Sequence, residues 1–133
     1  MKILKKLVVF SLLAIFSINV INASSQGILR SIGYLNGIVI HTYTSVYTDY
    51  LVKETDSNYI MNLSRMKGKE IVKHRLVNSN HDARSDWRWT KEGERESLPN
   101  RGYAGYKYGL ELVRSGVTPY DITLFGSWSP DAY

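Results

Sequence analysis

Short runs of β-branched and aromatic residues recur along this chain, separated by Gly, Asn, Asp, Ser and Pro. That combination is strand chemistry with turn punctuation. Ile38 to Tyr43 follows Asn36-Gly37, a dipeptide suited to a hairpin. Val46 to Val52 continues, with Val46, Tyr50 and Val52 on one face. Beyond the turn cluster Thr55-Asp-Ser-Asn58, Tyr59, Met61 and Leu63 alternate about Asn62. In Glu70 to Val77, Val72, His74 and Leu76 oppose Ile71, Lys73, Arg75 and Val77. Each set mixes apolar and basic residues, so the pattern leaves open which set faces the core.

Asn78 to Asn100 is the most polar stretch. It predicts a short strand over Trp87 to Lys91 and a hairpin through Glu92-Gly93. Further on, Tyr106, Tyr108, Leu110 and Leu112 share a strand face. Ile122, Leu124 and Trp128 share another, and Gly126 marks a bulge or a close packing point. A helix over Tyr103 to Arg114 is the competing reading. Gly102, Gly105 and Gly109 weigh against it, at about 0.8–1 kcal/mol each relative to alanine inside a helix. About seven short strands with regular turns predict an all-β fold, a small antiparallel β-sandwich. In its last strand Trp128 is expected in the core, with pairing ending near Ser129 because Pro130 has no N–H to donate. Asp131 to Tyr133 is expected at the edge or in solvent.

The N-terminus reads differently. Lys2, Lys5 and Lys6 precede an apolar run from Leu7 to Ile18, and Ile21 and Ala23 fit the −3 and −1 places of a signal-peptidase site. This is a secretory signal over residues 1–23, with an uncleaved anchor as the rival. The apolar run is short for a membrane span, which takes about 20 residues. Residues 24–37 are expected as a flexible arm and 38–133 as a single β domain. Cleavage after Ala23 would leave 110 residues and remove three lysines and no acid, lowering the net charge from +5 to +2. So weak a charge argues against nucleic acid as partner. No stable membrane insertion is expected after cleavage.

Composition removes further classes. There is no cysteine, hence no disulfide, thiolate metal site, cysteine nucleophile or lipidated cysteine. No HExxH, GxSxG or phosphate-binding glycine loop occurs. His41, His74 and His81 are spaced too widely for the usual zinc pattern. They read as two strand residues and a loop residue rather than as a metal site or general base. Asp82 and Asp86, or Glu92, Glu94 and Glu96, are the candidates for a glycosidase-like carboxylate pair, against the plainer reading of a solvated charge run. No catalytic residue, metal or cofactor is assigned.

Two segments remain as candidate binding surface. Arg84, Trp87, Arg88 and Trp89 interleave cations with large rings, a surface able to stack on a sugar or a base. The plainer reading puts both tryptophans in the core and the arginines at its rim. Tyr103, Tyr106 and Tyr108 lie in Gly102-Tyr-Ala-Gly-Tyr-Lys-Tyr-Gly109, where flat rings suit a glycan face or a glycine-backed strand pair.

Tyr59-Ile-Met-Asn62, Leu76-Val-Asn-Ser79, Arg84-Ser85, Gly102 to Tyr108 and the terminal Phe125-Gly-Ser-Trp-Ser-Pro-Asp131 follow the signal in order. Over residues 38–133 the chain resembles a family of small, cysteine-free secreted proteins of bacilli and related firmicutes with no assigned function. The resemblance implies secretion from a Gram-positive bacterium and a β domain, and brings no catalytic residue with it. A looser likeness is to lactococcin-type bacteriocins, although Ser24 to Leu35 lacks their tryptophan-rich start. The sequence thus predicts a secreted, non-enzymatic β-sandwich protein that binds a cell-envelope glycan or a surface protein. A bacteriocin-like antimicrobial and a wall-directed hydrolase are the alternatives. Intact-mass measurement of culture supernatant should find a chain starting at Ser24; full-length protein confined to the membrane fraction would contradict the signal assignment.

Overall fold

The structure is a computed structural model that describes residues 31–68, 70–116 and 120–132. The proposed signal, residues 24–30 of the proposed arm, and Tyr133 lie outside the described residues. The described residues form ten strands: β1 (Gly33–Tyr34), β2 (Ile38–Ile40), β3 (Val46–Tyr47), β4 (Leu51–Val52), β5 (Tyr59–Lys67), β6 (Val72–Asn78), β7 (Arg88–Thr90), β8 (Arg95–Leu98), β9 (Lys107–Arg114) and β10 (Ile122–Ser129). They make two five-stranded antiparallel sheets, the sandwich that the alternation predicts.

The first sheet runs β1-β10-β5-β8, with β2 also on β10; the second runs β3-β9-β6-β7, with β4 also on β9. β1 and β2 lie end to end along β10, and the register slips by one residue between them. β3 and β4 do the same along β9. Each pair therefore acts as one interrupted edge ribbon. Counted as ribbons, the first pairs with the last, the second with the seventh, the third with the sixth and the fourth with the fifth. This nested order, folded over into two sheets, is a jelly roll.

The core lies between the sheets. Tyr59, Met61 and Leu63 of β5 meet Tyr108, Leu110 and Leu112 of β9, with Leu76, Ile122, Leu124 and Trp128. On β6 Val72, His74 and Leu76 face the core and Lys73 and Arg75 face outward, while Val77, on the outward set, is buried as well. Alternation on β5 shifts phase after Leu63, and Met66 is the next inward residue. A bulge causes the shift: Arg65 pairs with Phe125 and Leu63 with Gly126, leaving Ser64 unmatched. Gly126 has φ 152°, and a Cβ there would lie 2.0 Å from the Asn62 carbonyl oxygen. The strand accepts only glycine at that point. Gly33 has a related role, because a Cβ on it would collide with the Trp128 indole, which packs across it.

Four expectations change. Asn36 and Gly37 both have positive φ and Ile38 N–H donates to Leu35 O, yet no hairpin forms. Leu35 and Gly37 keep their bonds to Gly126 O and Leu124 O, so the turn kinks the edge ribbon and drives Leu35 into the core. For the same reason residues 33–37 belong to the domain rather than to an arm. The Glu92-Gly93 turn passes from β7 in one sheet to β8 in the other instead of closing a hairpin. β8 hides in the polar stretch because its only strongly buried residue is Leu98.

The fourth change is at the tail. Trp128 is buried and β10 ends at Ser129, as expected, but Asp131 is fully buried too. Its carboxylate accepts from Glu54 N–H at 2.8 Å, Thr55 N–H at 2.9 Å and the Thr55 hydroxyl at 2.8 Å. It lies 3.6 Å from Lys53 Nζ, and both side chains have no solvent exposure. Lys53 Nζ also donates to the carbonyls of Ser57 and Pro130. Burial pulls the Lys53 ammonium below its ordinary pKa, and Asp131 opposes that shift. For Asp131 burial acts upward, but the bonds from Glu54 and Thr55 and the Lys53 charge outweigh it and hold the carboxyl below its usual range.

Two substitutions test this packing. Trp128→Ala should cost about 3–5 kcal/mol in urea unfolding. Asp131→Ala should cost a similar amount, about 3–5 kcal/mol, by leaving a buried ammonium without its counter-ion. Lys53→Met combined with Asp131→Ala should recover part of that loss; an unchanged midpoint for Asp131→Ala would show that the pair is not buried.

Candidate binding surface

Trp87 and Trp89 fall on the outer face of the second sheet, not in the core. β7 turns Thr90 inward, which sends Trp89 to solvent, 52% exposed. Lys73 and Arg75, outward on β6, lie with Nζ 4.5 Å and Cζ 4.1 Å from the Trp87 ring centroid; Lys73 Nζ is 6.0 Å from that of Trp89. Cations at these distances are attracted to the π faces. Arg75 Nε then donates to Glu111 Oε1 on β9 at 2.7 Å. Glu111 Oε2 accepts from Ser45 and from the Tyr47 hydroxyl. Tyr47 stacks on His81 with centroids 3.7 Å apart and planes 6° from parallel, and Tyr50 lies 6.2 Å from the same imidazole. The result is a continuous row of rings and cations across β7, β6, β9 and β3. Burial pushes the Glu111 carboxyl upward, but the bonds from Ser45, Arg75 and Tyr47 prevail and hold it below the ordinary range, so the row keeps its internal anion ionised.

The row ends at the turn carrying His81. Asn78 Oδ1 accepts from Asn80 N–H and Asp82 N–H there, and His81 has φ 64°. The same turn borders a groove of about 380 Å³ lined by Asn78, Ser79, Asn80, Arg84, Tyr103, Tyr106, Lys107 and Tyr108. Four of the seven predicted surface residues thus meet in one place. Tyr103 and Tyr106 are 68% and 65% exposed. Tyr108 is only 3% exposed and presents no ring face; its hydroxyl accepts from Tyr103 N–H at 2.9 Å and fixes the loop. Tyr106 leaves the strand face predicted for it because β9 begins at Lys107.

Arg88 parts from its neighbours. It alternates with Trp89 and points inward with Thr90, next to a buried polar chain between the sheets. The Tyr59 hydroxyl lies 3.1 Å from His74 Nδ1, His74 Nε2 lies 2.7 Å from the Thr90 hydroxyl, and that hydroxyl donates to Glu96. Arg88 Nε is buried without a hydrogen-bond partner. Burial, and secondarily the Arg88 charge, push the His74 imidazole down to about 4. Burial raises the Glu96 carboxyl, and a hydrogen bond with Glu94 raises it further. Among the described residues no group of three His, Asp or Glu could hold a metal.

The acidic candidates are engaged locally. Glu94 accepts from Lys91 N–H at 2.9 Å, and Glu96 accepts from the Thr90 hydroxyl. Glu92 accepts from Met66 N–H, Asp82 from the Asn78 side chain, and Asp86 pairs with Arg101. A groove of about 630 Å³ at Met66, Gly68, Glu70, Ile71, Lys91, Glu92, Ser115 and Gly116 has no aromatic ring among the described residues that line it. Glu70 there bonds Arg114.

Neutral burial of His74 has a consequence in acid. The unfolded imidazole takes its proton near pH 6.5, while the folded one waits until about 4, so the unfolded state binds more protons in between. Stability from this group should fall by roughly 1.4 kcal/mol per unit as pH drops through that window. Glu96 titrates in the opposite sense, so the difference between wild type and His74→Gln isolates the histidine. Urea melts from pH 7 to 4 should show a steeper loss for wild type; parallel curves would contradict the buried neutral imidazole.

No family model, curated protein or solved structure matches the chain, so its function is argued from this surface.

Proposed function

We propose that this chain is a secreted, non-enzymatic β-sandwich protein that binds a cell-envelope glycan through the outer face of its second sheet. The observation that carries the reading is the row running from Trp89 through Lys73, Trp87 and Arg75 to Tyr47 and His81. Flat rings offer an apolar face to the C–H face of a pyranose, and flanking cations and hydroxyls bond its oxygens. A sheet keeps such groups at fixed spacing, so little ordering cost falls on binding. Tyr103 and Tyr106 extend the ring-bearing surface past the His81 turn. Secretion, read from residues 1–23, would place this face where envelope polysaccharide is met.

Trp89 is the most exposed ring of the row that is not stacked on another aromatic, and the best single probe. Ring stacking is worth about 1–3 kcal/mol by alanine substitution, so Trp89→Ala should weaken sedimentation with purified wall polysaccharide by about tenfold or more. Its unfolding free energy should stay within about 0.5 kcal/mol of wild type. Undiminished binding by Trp89→Ala, or no binding of any wall polymer by the wild type, would overturn the reading.

A further inference from the structure

We infer that the groove between the 78–82 turn and the Gly102–Lys107 loop receives an anionic sugar, one bearing a carboxylate or a phosphate. This names the ligand class for the glycan-binding reading and rests on it.

Charge carries the inference. Arg84 and Lys107 both line the groove, and among the described residues no carboxylate does. Arg84 Nη1 donates to the Ala83 carbonyl, and neither cation has an acidic partner among the described residues. The nearby acids are committed: Asp56 to Ala104 N–H, Asp82 to Asn78, and Asp86 to Arg101. Two unneutralised cations in a concave site, one a guanidinium suited to a two-pronged bond with carboxylate or phosphate, favour an anion.

Shape and rigidity agree. About 380 Å³ lies in the range of small-ligand sites, which begins at roughly 300 Å³. Arg84 is fixed by its backbone, its N–H donating to Leu76 O at 2.7 Å and its carbonyl accepting from Arg101 N–H at 2.6 Å. The tyrosine loop is fixed by Lys53, which accepts from Gly105 N–H at 2.7 Å and donates to Tyr106 O at 2.9 Å. Two exposed phenol rings and the exposed Ser79 and Asn80 supply a stacking face and hydroxyl-bonding groups beside the cations. Two cations are few for a nucleic-acid track, which neutralises many phosphates along its length.

Titration calorimetry of the secreted protein at low salt decides it, with four probes: trigalacturonate, its fully methylated ester, a sugar-phosphate teichoic chain of poly(N-acetylglucosamine 1-phosphate), and a single-stranded oligonucleotide. Trigalacturonate or the teichoic chain should bind at least tenfold more tightly than the neutral ester, and the stronger of the two identifies carboxylate or phosphate as the source. Arg84→Gln and Lys107→Gln should each remove most of that advantage, leave weak binding of the ester intact and keep the melting temperature. Equal binding of acid and ester would overturn the anionic site while leaving the glycan reading standing. No binding of trigalacturonate, its ester or the teichoic chain would overturn the anionic site, and if purified wall polysaccharide is not bound either, both readings fall; an oligonucleotide bound more tightly than any sugar would overturn the choice of ligand class.

Discussion

The buried pair of Lys53 and Asp131 joins the two parts of this molecule that matter most to its surface. The Lys53 side chain reaches the carbonyls of Ser57 and Pro130 and the Asp131 carboxylate, closing the 53–58 loop over the end of the chain. Its backbone meanwhile bonds Gly105 and Tyr106 on both sides. One residue therefore ties the end of β10 to the loop that displays Tyr103 and Tyr106. Two desolvated charges are costly to bury, and they become tolerable only when nearly every lone pair and proton has a partner. Asp131, with three protein donors besides Lys53, meets that condition. A hydrophobic pair would fill the same space without fixing the direction of the loop.

The nested strand pairing gives each sheet a different task. The first sheet holds the chain together through β10, which pairs with β1, β2 and β5; Gly126 lets it pass the bulge opposite Asn62, and Gly33 on β1 leaves room for the Trp128 indole. The second presents its outer face. There the cation–π contacts and the Arg75–Glu111 pair hold side chains that would otherwise move freely in water. A surface already ordered in the free protein loses less entropy on binding. The polar chain from Tyr59 to Glu96 works on the inner side of the same strands, linking β5 and β8 to β6 and β7.

Fold class was legible in the sequence because period-two alternation reports one buried face, and β9 and β10 carry it plainly. Alternation does not report which strands pair. Asn36-Gly37 suits a hairpin locally, but the competing bonds of Leu35 and Gly37 to β10 decide its use. His74 was read as a strand residue on a face left open; it is a core residue whose ring nitrogens both find hydroxyl partners in other strands. Those partners are 15 and 16 residues away in sequence, so no local pattern could reveal them. The candidate surface was half legible. Spacing put Trp87 and Trp89 on one side, but not on the outer one, and Arg88 was lost to the opposite face. Lys73, Arg75, Tyr47 and His81 were missed because they come together only through strand order. Asp131 was expected at the edge or in solvent from its terminal position, whereas Lys53 Nζ bonds the Pro130 carbonyl and Glu54 N–H bonds the Asp131 carboxylate, partners 77 residues away in sequence.

The central claim is that the Lys53–Asp131 pair holds the tyrosine loop in place, and amide hydrogen exchange measures this directly. In the wild type the Lys53 and Gly105 amides should be protected close to the level of core amides such as Leu110. In Asp131→Asn, which keeps the shape and removes the charge, those two amides should exchange much faster while Leu110 slows or quickens only with global stability. Equal loss of protection at all three sites, or none at Lys53 and Gly105, would contradict the account.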